Sequence, residues 1–256
     1  VSFCYMKNIA NEDLVNEVRF RLSNIDIDSI INSGTIEQLI QDSSSILFPQ
    51  TFATERCDRA CNSILEGRIV ILVNGNPYAL IVPAILIDFI TSPEDINLRH
   101  QYGNLIRVIR SIAFFVAMFM PALYVAVTNF HQELLPTDLV FAISAMRRSI
   151  PFPVIVELLI MEISFELIRE ASLRVPAPIG STIGIIGGLI LGEAAVSANL
   201  VTPLLIIIVA VTGICSYAIP DFSLNFTIRT FRFMYIILGY IAGFLGISFG
   251  MFIQLI

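Results

Sequence analysis

Residues 147–176 read RRSIPFPVIVELLIMEISFELIREASLRVP, and the reading of this stretch decides the fold. Pro151 and Pro153 flank Phe152 and mark a helix start, since proline suits the first helical turn. Over 153–173 an apolar helical pattern carries Glu157, Glu162, Glu166 and Glu170, with Arg147, Arg148, Arg169 and Arg174 towards its ends. On a helical projection Glu162, Glu166, Arg169 and Glu170 fall within roughly a 100° arc, and Glu157 points the other way. Two readings stand side by side. The helix lies in a membrane interface with its charges in water, or it is buried, because ionisable groups near hydrocarbon are costly and face a bundle interior or a pathway.

The surroundings favour a membrane context. The chain has 56% hydrophobic and 14% charged residues, with a mean hydropathy of +0.81; soluble domains carry roughly 25% charged residues. A net charge of −6 argues against a nucleic-acid partner. Residues 1–110 hold 22 of the 36 charged side chains. The expected fold is therefore an α+β soluble domain over 1–110, followed by an α-helical multispan membrane domain over 111–256.

In the second part, SIAFFVAMFMPALYVAVTNF (111–130) follows Arg107 and Arg110. About 20 apolar residues cross a bilayer, the arginines favour a cytoplasmic start, and Pro121 predicts a kink. HQELLPTD (131–138) reads as a polar turn with His131 interfacial, and 139–153 is too short and broken to span. Further spans are expected near 179–198, 203–219 and 232–256. Gly180, Gly184, Gly188 and Gly192 recur every four residues, which suits close helix packing, as do Gly239, Gly243, Gly246 and Gly250. Glu193 stands alone in its helix and needs a partner or water. Arg107/Arg110, Arg169/Arg174 and Arg229/Arg232 fall on one side if 153–170 crosses, which leaves Arg147 and Arg148 on the other; charge counting alone leaves the topology open.

In the first part, 11–22 reads as a helix and 26–42 as two short helices split at Ser33-Gly34. Residues 54–66 form a helix ended by Gly67. RIVILV (68–73) and YALIVP (78–83) are strands joined through Asn74-Gly75, a hairpin signal because both residues tolerate positive φ. Ser43-Ser44-Ser45 reads as a loop. Cys4, Cys57, Cys61 and Cys215 give no disulfide framework. There is no Gly-rich phosphate loop, metal-ligand spacing, HExxH, GxSxG or paired intramembrane aspartate, so neither enzyme chemistry nor a cofactor is expected. Val1 opens the chain without a signal segment and Ile256 lies inside an apolar run; a fragment cut at both ends is expected.

Taken together, the sequence resembles the A-subunit family of bacterial spore-germination nutrient receptors, the GerA family. The carrying segments are DIDSIINSGTIEQLIQD, LFPQTFATERCDRACNSILEGRIVILVNGNPYALIVP and PALYVAVTNFHQELLPTDL. They continue through PFPVIVELLIMEISFELIREASLRVPAPIGSTIGIIGGLILGEAAV to VTPLLIIIVAVTGICSYAIPDFSLNFTIRTFRF. The resemblance covers nearly the whole chain, and a related sporulation membrane protein shares the motifs. It implies a cytoplasmic N-terminal domain and a multispan domain in the spore inner membrane. It further implies a homo-oligomeric cation channel, opened when a partner subunit senses nutrient, with a nutrient-sensing membrane subunit, a lipoprotein subunit and membrane lipid as partners. The family's soluble domain begins earlier and its membrane domain ends later, and Cys57 stands where proline is expected.

A channel needs a lined path. One glutamate per subunit of a ring concentrates cations at a pore mouth, and Glu162, Glu166 and Glu193 are the candidates, with Ser197 and Asn199 as neutral lining. Arg147, Pro151, Pro153, Glu157, Arg169, Glu170, Arg174 and Pro176 form the structural motif of the family. A secondary transporter is the alternative, suggested by the interruption at Asn199–Pro203, and a membrane scaffold is a third reading.

Overall fold

A computed structural model describes residues 1–27, 30, 32–42 and 47–255, with the side chains of 96, 97, 177–179, 181–183, 186 and 255 left out of the description. It divides into two compact units, Val1–Ile109 with Ile219–Thr227, and Arg110–Ala218 with Ile228–Ile256.

The first unit is a four-stranded antiparallel sheet in the order β1-β3-β4-β2, formed by β1 (Ser2–Cys4), β2 (Phe52–Thr54), β3 (Ile69–Leu72) and β4 (Ala79–Val82). The expected hairpin is present: Ile69 pairs with Val82 and Leu72 with Ala79, and Gly75 turns the chain at φ 83°. On one face α1 (Glu12–Ser23) and α2 (Ser33–Ile40) cover Ile69, Ile71 and Leu80 with Val15, Val18, Ile36 and Ile40. Val70 and Ile81 are equally buried, and alternation aims them at the other face, where α3 (Cys57–Leu65) packs on the sheet. Both faces are covered, which is why β3 and β4 read as continuous apolar runs. Two short helices follow, α4 (Leu86–Ile90) and α5 (Glu94–Asn97).

The split expected at Ser33-Gly34 is not observed. Asn32 caps a helix that starts at Ser33, its side chain accepting from Gly34 N–H; Asp26, Ile27 and Ile30 are not helical, and Asp28, Ser29 and Ile31 lie outside the described residues, as do Ser43-Ser44-Ser45. The helix expected over 54–66 begins three residues late because Thr54 is held in β2. Cys4, Cys57 and Cys61 are exposed free thiols.

The second unit is helical. It is built from α6 (His100–Phe130), α7 (Thr137–Arg147), α8 (Val154–Arg174), α9 (Ala177–Ser197), α10 (Pro203–Tyr217) and α11 (Phe222–Leu255), the first residues of α6 and of α11 belonging to the first unit. Contacts fix their directions. The Phe119 and Tyr235 rings meet at a tilt, centroids 4.7 Å apart, and Gly239 abuts Ala122, so α6 and α11 run parallel. Gly184, Gly187 and Gly188 lie against Ser172, Ile168 and Phe165, so α9 runs back along α8. Among the described residues α6 and α11 are long and apolar enough to cross a membrane. α8 and α9, of 21 residues each, are about 31 Å long, and the 15-residue α10 only about 22 Å. At Gly243 (φ 59°, ψ −137°) the helical dihedrals of α11 break, beside Phe130 and His131.

Candidate functional site

α8 is inverted relative to a helix on a water-soluble bundle. Ile160, Ile163 and Leu167 are exposed, at 42%, 50% and 66%, whereas Glu157 and Glu162 are 1% exposed. Large apolar residues face out, and these two carboxylates face in among Val154, Leu158 and Met161, so the stability of α8 depends on what meets those carboxylates.

Arginines meet them. Arg232 Nη1 donates to Glu162 Oε2 at 2.8 Å, and its Nε donates to the Ala117 carbonyl at 2.9 Å. Four residues along α8, Glu166 accepts from Arg229 Nε at 3.0 Å and makes a second contact with Arg229 Nη2. The order of these pairs, 162 with 232 and 166 with 229, makes α8 antiparallel to α11. Arg169 continues the line: it lies 3.8 Å from Glu166, donates to Ser216 Oγ at 3.1 Å and covers the Tyr217 ring at 4.6 Å. At the other end of α8, Arg147 lies 3.4 Å from Glu157, which also bonds the backbone N–H of Thr202. With Ser216 near Arg169 and Thr202 near Glu157, α10 runs parallel to α8.

The structure brings together Arg147 with Glu157, and sets Glu162, buried, and Glu166 and Arg169, partly buried, in one line. Glu170 and Arg174 pair at 2.7 Å on the exposed surface, apart from that line. Pro153 and Pro176 cap α8 and α9, while Pro151 is exposed. Glu193 and Ser197 stand elsewhere, on an exposed stripe of α9 with Ile185 and Leu189 at intervals of four. Asn199, at φ 52°, sits in the turn beyond and meets Ser149 Oγ at 3.4 Å. Among the described residues no group of His, Cys, Asp or Glu could hold a metal ion.

Sequence reasoning missed the partners Arg229 and Arg232, which read as flanks of a span. A signal was there: acids four apart, at 162 and 166, face bases three apart, at 229 and 232, and both spacings keep a pair on one helix face.

The first unit holds its own partly buried acids. Burial pushes the Glu37 carboxyl up, with the Thr51 hydroxyl opposing and Asp221 reinforcing the shift. Burial also pushes Asp221 up, against Arg59 and the N–H groups of Leu224 and Ser223.

Comparison with known proteins gives these features a context. Residues 1–256 match the family described as Bacillus/Clostridium GerA spore germination protein. Spore germination protein KA of Bacillus subtilis (strain 168) is 43% identical over 256 residues, covering 100% of this chain and 47% of that protein. Spore germination protein B1 of the same organism is 44% identical over 232 residues, covering 91% of this chain and 48% of that protein. A third, "Uncharacterized membrane protein YfkQ", is 42% identical over 250 residues, covering 98% and 49%. The chain spans about half the length of these curated relatives. No solved structure matches.

Proposed function

The chain belongs to the GerA spore germination protein family, and on that premise we propose that it is part of the membrane subunit of a spore-germination receptor. The subunit forms a homo-oligomeric cation-release channel in the spore inner membrane. A partner membrane subunit senses the nutrient, a lipoprotein subunit completes the receptor, and the first unit faces the cytoplasm.

The inverted α8 carries the membrane part of this reading. Apolar groups outward and paired charges inward is the arrangement a lipid solvent selects. Helix directions support a multi-pass path: α6, α9 and α11 run one way, α8 and α10 the other. Arg110, Arg169, Arg174, Arg229 and Arg232 then gather at one end, as expected for a cytoplasmic side. Arg147 falls at the opposite end, where Glu157 offsets its charge.

The ion path is proposed along Glu193, Ser197 and Asn199. These side chains are exposed in the single chain and open to a ring of copies. Glu162 and Glu166 are engaged by arginine and hold α8 in register instead. The interruption that suggested a transporter is the turn between the antiparallel α9 and α10.

The test is nutrient-triggered cation release by the full-length protein with its partner subunits. Glu193→Gln keeps size and removes charge, so it should lower release severalfold at unchanged abundance. Wild-type release from both Glu193→Gln and Ser197→Ala would remove this path. A monomer with a pocket at mid-membrane would favour the transporter.

A further inference from the structure

Proline lacks an N–H, so inside a helix it deprives the carbonyl four residues earlier of its partner. Pro121 lies within α6, and the carbonyl it deprives is that of Ala117. This is the group to which Arg232 Nε donates at 2.9 Å, while Nη1 of the same guanidinium donates to Glu162 at 2.8 Å. Ala117, Glu162 and Arg232 are 0%, 1% and 2% exposed. The backbone of α11 comes close to α6 one residue beyond Pro121: a Cβ on Gly239 would stand 2.9 Å from the Ala122 carbonyl oxygen.

We propose that Arg232 is a positioning residue that joins three helices by answering two needs at once: the carbonyl left open on α6 by Pro121 and the carboxylate of Glu162 on α8. Pro121 then serves as the acceptor-maker of the site, and the kink it produces is secondary. The planar guanidinium suits this role, because its fork of N–H groups reaches two acceptors in different directions, whereas a lysine ammonium offers a single point of charge. An orphaned backbone carbonyl in a low-dielectric interior is costly, and so is a lone carboxylate. Loss of Arg232 therefore exposes two defects, and only one of them depends on Pro121.

This gives a specific dependence between positions 121 and 232. Pro121→Ala restores the N–H that bonds the Ala117 carbonyl within α6. It removes one need for Arg232 and leaves the other. The inference draws on the channel reading only for its second measurement.

The test uses the full-length protein in its native membrane, with Arg232→Met and Arg232→Lys made alone and with Pro121→Ala. The first readout is the amount of assembled protein and its thermal midpoint, which need no conductance. Arg232→Met is expected to lower assembled protein tenfold or more, and Pro121→Ala to recover part of that. Arg232→Lys keeps a charge for Glu162 and loses the second arm, so its milder loss should be recovered almost fully by Pro121→Ala. Glu166→Gln breaks a neighbouring pair that does not touch Ala117; Pro121→Ala should leave its loss in place. The second readout, cation release per assembled copy, should return with Pro121→Ala in the Arg232→Lys background. Equal recovery of Glu166→Gln and Arg232→Lys would make Pro121→Ala a general stabiliser and overturn the assignment, as would losses at 121 and 232 that simply multiply. Recovered assembly without any release in wild type would overturn the channel reading and leave the node standing.

Discussion

Gly239 of α11 lies so close to Ala122 of α6 that a Cβ there would stand 2.9 Å from the Ala122 carbonyl oxygen. Backbone cannot yield as a flexible side chain does. Gly239→Ala should therefore destabilise by about 1–3 kcal/mol, as overpacking does. Gly213, in the interior of α10, has nothing within 4 Å of its would-be Cβ; Gly213→Ala should be neutral or stabilise by up to about 1 kcal/mol through helix propensity. Thermal midpoints measured in one detergent should fall for Gly239→Ala and hold or rise for Gly213→Ala.

Arg147 and Glu157 form a pair in which the acid is 1% exposed and the base 25%. Removing the base strands the acid, so Arg147→Ala should cost about 3–5 kcal/mol. Replacing both by apolar residues of similar size, Arg147→Met with Glu157→Leu, should restore most of that loss. A double-mutant cycle on assembled protein decides the point; single-variant losses that simply add in the double variant would show that the pair contributes nothing.

The REASLR segment divides. Arg169 serves Glu166, Ser216 and the Tyr217 ring, so Arg169→Ala should lower abundance severalfold. Glu170 and Arg174 are both largely exposed, and exposed i,i+4 pairs contribute only about 0.3–0.5 kcal/mol. Glu170→Ala should leave abundance unchanged. Quantitative blotting of both variants separates the two roles.

Glu37 makes stability depend on pH. Burial favours its protonated form in the folded state, so its folded value lies above the ordinary 4.5. The folded chain then holds this proton more tightly than the unfolded chain. The contribution is full below the ordinary value and is lost as pH rises through the raised one. Glu37→Gln should remove this fall, flattening the thermal midpoint as pH rises above the ordinary value. An unchanged pH profile would assign the fall to another group, with Asp221 the nearest in kind.

The parts of the fold that depend on local chemistry could be read from the residues. Asn74-Gly75 announced the hairpin, Pro153 the start of α8, and Gly67 the end of α3. What depends on distant residues could not. β1 and β2 have three residues each, too few for a pattern, and exist because β3 and β4 offer them edges. The acids of α8 were visible from the start, and their burial was not, because the arginines that permit it lie 63 and 70 residues away. Arg232 looked like the flank of a span, and Pro121 like a kink. The bond between their neighbourhoods belongs to neither sequence window.

Those same separations bear on the order of events at the ribosome. At roughly 5–20 residues per second, α8 waits about 3–14 s for Arg229 and Arg232 to be synthesised. During that interval its carboxylates have no partners, and a lone charged helix partitions poorly into lipid. On the membrane reading proposed above, α8 enters the bilayer late, together with α11 or under the care of the insertion machinery, because α9, α10 and α11 have yet to appear when it is made. A later helix is thus the one that lets an earlier helix settle.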